Sequence, residues 1–198
     1  GITIPGLVRF RVNIHQQRGS IGIVLRLIPL EVPTLDDVLL HEGAVNALRE
    51  LCRRAQGLIL VTGPTGCGQS TTLAAMLNEI NEKRACHLVT IEDPLEFVHR
   101  DKRGIVTQRE VGVDTQSFDV ALKNSLRQAP DVVLIGEIRT RQTMEYAVVF
   151  AETGQLVLAT LHANNANQAL DRILNFFPEE ARNQLFTDLS LNLKGVVA

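Results

Sequence analysis

Residues 58–77 read LILVTGPTGCGQSTTLAAML, and the fold depends on this stretch. Its first four residues are apolar, which predicts a strand buried on both faces. A loop with three glycines follows, and the apolar residues at the end predict a helix. In such a unit the loop N–H groups turn inward, and the helix N-terminus adds a partial positive charge. The stretch therefore predicts a phosphate-binding loop.

This loop matches the phosphate-binding pattern G-x-x-x-x-G-K-[ST] at every position except one. Gly63, Gly68 and Ser70 are in register, whereas Gln69 occupies the place of the lysine. A lysine there puts a positive charge on the β- and γ-phosphates, but glutamine is neutral and shorter. The loop alone is equally compatible with an ordinary strand-to-helix turn, so the rest of the chain must decide between the two.

The composition is that of a soluble globular protein of one or two domains, because 45% of the 198 residues are hydrophobic and 21% are charged. A net charge of −2 argues against a general binder of nucleic acids or anionic membranes. Apolar runs are short and no signal peptide is visible, so we expect no membrane span. Three cysteines without metal-ligand spacing indicate reduced thiols in a cytoplasm.

The N-terminal residues predict a hairpin or a sheet edge. Two β-rich runs are followed by Pro29 and Pro33, which punctuate a connection. We therefore expect a domain boundary after Pro33, with one unit over residues 1–33 and another over residues 34–198. The arginines of the first unit are most simply explained as solvated edge charges; they are Arg9, Arg11, Arg18 and Arg26.

Helices and strands are predicted to alternate after this boundary. Thr34 with Asp37 resembles a capping box, which predicts a helix that ends at Gly57. Residues 101–115 are polar and predict a loop or a short hairpin. Two helices are predicted to close the chain, and the second of them carries Leu193 on its apolar face.

Three further buried strands end in polar residues. They end at Glu92, at Glu137 and shortly before His162. Ligands of open α/β sheets bind beyond the carboxyl ends of the strands, so these side chains should lie beside the glycine-rich loop. An acid in that place holds Mg²⁺ or polarises the attacking water. A turn that begins at Asp93 and an ordinary loop histidine are the alternatives, but two acids at strand ends favour a nucleotide site.

Four segments in this order resemble the Walker A, Asp box, Walker B and His box of the type II secretion and type IV pilus ATPases. They read GPTGCGQSTT, TIEDPLEFVH, APDVVLIGEIR and LATLHANNANQALDRI. The chain is most similar to the twitching-motility retraction ATPases of the PilT and PilU type. The resemblance implies an α/β, RecA-like P-loop NTPase core with a parallel-rich central sheet flanked by helices, lacking its far C-terminal helices. Residues 1–33 would be the end of a PAS-like α+β N-terminal domain and its linker.

The resemblance also implies a role for individual residues. Glu92 would activate water, Glu137 would support the metal and the water, and His162 would sense the γ-phosphate. Mg²⁺ would be held by Ser70 and Glu137. ATP would be bound by Gly63, Pro64, Thr65, Gly66, Cys67, Gly68, Gln69, Ser70 and Thr71, together with Arg11 and Arg26.

The family likeness further implies a homo-hexameric, ATP-hydrolysing motor in the cytoplasm, attached to the inner membrane through a pilus or secretion platform protein.

Two residues depart from the family pattern. Gln69 occupies the position of a lysine, and Gln155 occupies a position that often holds a histidine. Losing one preorganised donor to a developing charge costs on the order of 10²–10³ in rate, so we expect weak ATP affinity and poor turnover.

Two other functions are considered from the same sequence. The first is a weakly nucleotide-binding accessory subunit that acts by assembling with an active retraction ATPase, and Gln69 favours it. The second, a DNA-binding protein, is disfavoured by the acidic balance and by the presence of one tyrosine and no tryptophan for base stacking.

Overall fold

The computed structural model describes residues 2–4, 8–29, 31–38 and 41–198, and these form two β-sheets. The N-terminal sheet is antiparallel and consists of β1 (Ile2–Ile4), β2 (Val8–Gln17) and β3 (Ser20–Ile28). Arg18 and Gly19 both have positive φ in the turn between β2 and β3, as tight hairpin turns require. The predicted hairpin is therefore confirmed.

The larger sheet places all the predicted core strands side by side. Its described strands run in the order β6-β5-β7-β8-β4-β9, and every neighbouring pair is parallel. All residues of β4 and β8 are buried, as expected for strands covered on both faces. The strands are β4 (Gly57–Thr62), β5 (His87–Glu92), β6 (Ile105–Glu110), β7 (Val132–Ile135), β8 (Leu156–Leu161) and β9 (Leu193–Val197).

Helices cover both faces of this sheet, so the predicted α/β fold is confirmed. Leu58 and Leu60 of β4 belong to one core cluster and Ile59 and Val61 to the other, because successive strand residues point to opposite faces. Helices α1 and α2 pack on the second face and the remaining helices on the first. The helices of the described chain are α1 (Glu42–Cys52), α2 (Gln69–Lys83), α3 (Phe118–Ser125), α4 (Arg141–Glu152), α5 (Ala166–Asn175) and α6 (Glu179–Asn192).

The prediction of a helix start at Thr34 is wrong. The Thr34 backbone N–H and hydroxyl both donate to Asp37 Oδ2, at 2.8 and 2.7 Å, and the Asp37 N–H donates to the Thr34 carbonyl at 3.2 Å. These bonds close a turn, since short polar side chains stabilise turns as well as helix caps. Helix α1 begins later, where His41 Nδ1 accepts from the Ala44 N–H at 3.1 Å.

Two strands of the larger sheet were not predicted, and neither was β1 of the N-terminal sheet. Residues 105–110 form the edge strand β6 rather than a loop or an antiparallel hairpin, and β6 pairs in parallel with β5. Leu193 ends α6 and opens β9, which pairs with β4, so the prediction that Leu193 is helical is wrong. An edge strand is covered on fewer sides than a central one, so its sequence needs no continuous apolar run.

Among the described residues, no helix combines the length and apolar character needed to cross a membrane.

Candidate functional site

A cleft of about 580 Å³ lies where the predicted site residues converge, beyond the carboxyl ends of the central strands. Glu92, Glu137 and His162 line it from strands β5, β7 and β8. Arg11 and Arg26 line it from the N-terminal sheet. The glycine-rich loop and the start of α2 form its remaining wall through Thr65, Gly66, Gly68, Gln69, Ser70 and Thr71.

Three of the residues assigned to nucleotide binding lie outside this cleft. Gly63 and Pro64 line a second cavity of about 510 Å³, which shares Thr65 and His162 with the cleft. Cys67 is exposed and lines neither of the two cavities. A Cβ atom at Gly63 would stand 2.4 Å from Cys67 Sγ, so the thiol packs against the start of the loop. This contact makes Cys67 a space-filling residue of the loop.

The loop has the backbone geometry of an anion site. Gly66 and Gly68 have φ values of 85° and 99°, a left-handed conformation that favours glycine. Gly68 is also the N-cap of α2 and offers no side chain to the first-turn N–H groups. Those N–H groups, from residues 69–71, therefore remain for a ligand in the cleft, where the positive end of the helix dipole adds to them.

Gln69 does not extend freely into the cleft. Its side chain is buried, and Nε2 donates to the Gly63 carbonyl at 3.1 Å and more weakly to the Leu161 carbonyl at 3.5 Å. These acceptors follow β4 and end β8, so the amide ties two neighbouring strand ends together. A neutral group held by two backbone carbonyls supplies no positive charge to the cleft.

The Glu92 carboxylate is held by three donors at the end of β5. Oε1 accepts from the Thr90 hydroxyl at 2.7 Å and from Gln108 Nε2 at 3.4 Å, and Oε2 accepts from the Glu96 N–H at 3.4 Å. Burial raises the pKa of Glu92 above its usual value, and the hydrogen bonds only partly offset this effect. Glu92 is therefore a stronger base than an ordinary glutamate when it is ionised.

Glu137 joins the ends of β7 and β8. Its Oε1 lies 3.2 Å from His162 Nε2 and its Oε2 lies 2.6 Å from Arg139 Nε. The other ring nitrogen of His162, Nδ1, is buried without a hydrogen-bond partner in the described structure. The Glu137 side chain is only 14% exposed, so these contacts are partly shielded from water.

The N-terminal sheet brings two cations to the same cleft. Arg11 and Arg26 are register partners on β2 and β3, which places both side chains on one face of the hairpin. Arg11 Nη2 lies 3.2 Å from Glu96 Oε1, and its Nε is buried with no partner among the described residues. Arg11 is thus paired with the loop that follows β5. The predicted cation Arg9 has a side chain outside the described part of the structure.

A model of the Type II/IV secretion system protein family matches residues 2–198. The chain belongs to this family. It is 54% identical over 197 residues to the Type IV pilus ATPase PilU of Pseudomonas aeruginosa, covering 100% of this chain and 50% of that protein. It is 44% identical over 195 residues to the Type IV pilus retraction ATPase PilT of the same species, covering 98% and 56%. The chain thus spans about half the length of the curated relatives it matches.

Two similar solved structures share the fold. The pilus retraction motor PilT with bound ADP superposes with a TM-score of 0.92 at 46% identity, covering 98% of this chain and 56% of that one. The ATPase DotB of Legionella pneumophila gives 0.83 at 28% identity, covering 98% and 54%. The RecA-like fold expected from the sequence is confirmed by these similarities.

The oxygen donors of the cleft suit the cation that the secretion family implies. Ser70 offers a hydroxyl and Glu137 a carboxylate, and Mg²⁺ prefers such hard oxygen ligands. Within the described residues, no group of three His, Cys, Asp or Glu side chains is arranged to hold a metal. Mg²⁺ needs no such group when phosphates and water complete its shell, so these residues fit the ion.

Sequence reasoning missed several residues of the site. Thr90 lies two residues before Glu92, so both face one side of β5, and this spacing could have identified it. Gln108 lies in the segment that was predicted to be a loop or a short hairpin, and no role was assigned to it. Phe97, His99 and Arg139 also line the cleft; they belong to the Asp box and Walker B segments, but no site role was assigned to them.

Proposed function

We propose that this chain binds and hydrolyses ATP as part of a motor protein of the type IV pilus retraction and type II secretion class. The observation that carries the proposal is the convergence of the glycine-rich loop with Glu92, Glu137 and His162 in one cleft. Two similar proteins are named as pilus ATPases, and the similar PilT structure holds ADP. These similarities support nucleotide chemistry in the same cleft.

In this proposal the N–H groups of Gly66 and of residues 68–71 bind the phosphates, whereas the Cys67 N–H donates to the Pro64 carbonyl at 3.2 Å. Ser70 and Glu137 would hold Mg²⁺, which would neutralise charge on the phosphate oxygens. Glu92 accepts a proton from the attacking water, a task suited to a carboxylate whose pKa is raised toward neutrality. His162, which Glu137 holds through Nε2, senses the γ-phosphate from the end of β8.

The N-terminal sheet contributes to the proposed site as well. Arg11 and Arg26 bind the nucleotide from the opposite wall of the cleft, where two guanidinium groups complement the charge of a triphosphate. We further propose that residues 1–33 are the end of a PAS-like domain and its linker, and that residues 34–198 are the ATPase domain. Movement between the two units would then change the distance between these arginines and the loop.

The assembly and location belong to the same proposal. The chain acts in a homo-hexamer, or in a mixed assembly with an active retraction ATPase, on the cytoplasmic side of the inner membrane. It reaches the membrane through a pilus or secretion platform protein and does not act on nucleic acid. The relatives named as pilus ATPases and as type II secretion proteins support this assignment.

One observation favours the alternative function, a nucleotide-binding accessory subunit that does not hydrolyse ATP efficiently by itself. Gln69 donates to the Gly63 and Leu161 carbonyls and brings no charge to the cleft. An ATPase that lacks this charge loses part of its transition-state stabilisation. Such a subunit would act by joining a homologous, active ATPase.

The experiment is a phosphate-release assay with ATP and Mg²⁺ on the unsubstituted chain and on three variants. Gln69→Lys should raise the rate, and adding Glu92→Gln to it should lower the rate again by about 10²-fold or more. Glu180→Gln, which neutralises an exposed acid on α6, is the matched control and should leave the rate unchanged.

Absence of both hydrolysis and nucleotide binding in Gln69→Lys would exclude the motor and the accessory function together. Hydrolysis that appears only after mixing with an active retraction ATPase would select the accessory function.

A further inference from the structure

Thr90, Glu92 and Gln108 form a polar cluster at the edge of the parallel sheet. Thr90 and Gln108 are register partners on β5 and β6, and Glu92 lies two residues beyond Thr90. Residues at positions i and i+2 of a strand point to the same face, so the hydroxyl and the carboxylate are neighbours. The pairing of β6 with β5 then brings the Gln108 amide alongside both.

Both neighbours donate to the same oxygen of Glu92. The Thr90 hydroxyl lies 2.7 Å from Oε1 and Gln108 Nε2 lies 3.4 Å from it. Oε2, in contrast, accepts from a single donor, the Glu96 N–H at 3.4 Å, and has no short hydrogen bond of the kind that Thr90 gives to Oε1. The carboxylate is therefore held through Oε1, and Oε2 is the oxygen with the greater remaining capacity to accept a proton.

Gln108 is itself held in one orientation. Its Nε2 also donates to the Phe97 carbonyl at 3.0 Å, and its Oε1 accepts from the His99 N–H at 2.8 Å. Phe97 and His99 both line the cleft. An amide bonded at both ends cannot turn without breaking these contacts, so Gln108 fixes the loop after β5 and Glu92 together.

A general base must keep its carboxylate in one orientation toward the attacking water, because small misplacements reduce the rate strongly. Thr90 is fully buried, so water does not compete for its hydroxyl. We propose that Thr90 and Gln108 are positioning residues that hold Glu92 Oε1 and thereby direct Oε2 to the attacking water. This inference rests on the proposed ATPase function, in which Glu92 is the base.

The test uses the Gln69→Lys background, in which hydrolysis is expected to be measurable. Thr90→Val keeps the shape of the side chain and removes the donor, and Gln108→Leu removes the amide. Each should lower kcat by about 10-fold or more, while the Kd of a fluorescent ADP analogue changes by less than about 2-fold. Thr90→Ser, which restores the hydroxyl, should recover kcat to within about 3-fold.

Thr107→Val is the matched control, because it makes the same change on β6 outside the cleft, where the Thr107 hydroxyl contacts His87 at 3.0 Å. Its kcat should stay within about 2-fold of the background. Thermal unfolding of every variant checks that the fold is retained. If Thr90→Val does not fold, Gln108→Leu still tests the inference, since Gln108 lies half-buried on the edge strand.

A double-mutant cycle separates positioning of Glu92 from a general structural effect. Single-turnover hydrolysis is measured for Thr90→Val with Glu92 intact and with Glu92→Gln. The inference requires that Thr90→Val slow the reaction only when Glu92 is present. The inference would be overturned if Thr90→Val slowed the reaction equally with Glu92 and with Glu92→Gln. It would also be overturned if neither Thr90→Val nor Gln108→Leu slowed the reaction. If Glu92→Gln alone left the rate unchanged, the proposed role of Glu92 as the base would fail instead.

Discussion

Glu137 Oε1 and His162 Nε2 are 3.2 Å apart, so an acid at the end of β7 and a histidine after β8 form a direct pair. The pair connects two neighbouring strand ends of the cleft, and Arg139 Nε lies 2.6 Å from the other oxygen of the same carboxylate. Nε2 faces Glu137, and Nδ1 is buried with no partner among the described residues. The pair therefore couples the ends of β7 and β8, so a displacement of His162 would change the contacts of Glu137.

Replacing His162 should affect the chemical step more than nucleotide binding. In the Gln69→Lys background, His162→Ala should lower kcat by about 10²-fold, because one preorganised group is lost from the developing charge. The Kd for an ADP analogue should change by less than about 3-fold, since ADP has no γ-phosphate. Phosphate release and fluorescence titration measure the two quantities.

His15→Ala is the control for this substitution, because His15 is exposed on the N-terminal hairpin, away from the cleft. It should leave both kcat and Kd unchanged. A His162→Ala variant that loses ADP binding while keeping its turnover would argue against a role for this residue at the γ-phosphate.

Gln69→Lys should strengthen ATP binding and speed hydrolysis. The substitution exchanges a neutral amide for an ammonium group, and a charge-assisted hydrogen bond is worth about 1.5–3 kcal/mol. We therefore expect ATP affinity to rise by about 10-fold or more and kcat by about 10²-fold. Equilibrium titration with a fluorescent ATP analogue and steady-state phosphate release measure these changes.

The effect of Gln69→Lys must be separated from that of added positive charge. Gln56→Lys adds the same charge at an exposed position before β4 and outside the cleft. It should change neither affinity nor rate. If both lysine variants raised ATP affinity equally, the position of the charge in the loop would have no importance and the proposed role of this residue would be wrong.

The central part of the fold and of the site could be predicted from the sequence. Strands β4, β7 and β8 consist mainly of apolar residues and the inner residues of β5 are buried, as expected for strands covered on both faces. The glycine-rich loop after β4 and the acids at or just after the ends of β5 and β7 are also visible in the local sequence. Parallel pairing then places the carboxyl ends of these strands side by side, and the cleft lies beyond them.

The remaining features depend on tertiary contacts that local patterns do not report. Strand β6 is half exposed at the sheet edge, so its sequence IVTQRE resembles that of a polar loop. Gln108, which β6 brings to Glu92, was missed for the same reason. The bonds from Gln69 to the Gly63 and Leu161 carbonyls were also missed, because they link residues up to 92 positions apart in the chain.

Hydrolysis should depend on pH through Glu92. Burial raises the pKa of this carboxylate above its ordinary value of 4.5, and only the ionised form can accept a proton. The rate kcat/KM should therefore fall as the pH is lowered through this raised pKa, at a higher pH than for an ordinary glutamate. A pH–rate profile of the Gln69→Lys variant measures the midpoint, and a midpoint at or below 4.5 would contradict the proposed base.

The same shift predicts an effect on stability. Because the folded-state pKa of Glu92 is higher than the unfolded-state value, the folded protein binds more protons and its free energy of unfolding falls as the pH rises between the two values. Glu92→Gln removes the ionisable group, so its Tm at pH 7 should be higher than that of the unsubstituted chain. The gain should shrink below the ordinary pKa, and differential scanning calorimetry at both pH values tests this.

Arg11 and Glu96 should have opposite effects on nucleotide affinity. Arg11 Nη2 lies 3.2 Å from Glu96 Oε1, so a nucleotide that recruits Arg11 must compete with this carboxylate. Arg11→Gln should weaken ATP binding because a cation is lost from the cleft. Glu96→Gln should tighten ATP binding by up to about 5-fold, because part-exposed ion pairs contribute about 0.2–1 kcal/mol and the competing pair is removed.

The matched control is Glu50→Gln, which breaks the exposed pair with Arg53 on α1 and should leave the Kd for ATP unchanged. Weaker binding in both cleft variants would instead mean that Glu96 supports the site rather than competing for Arg11.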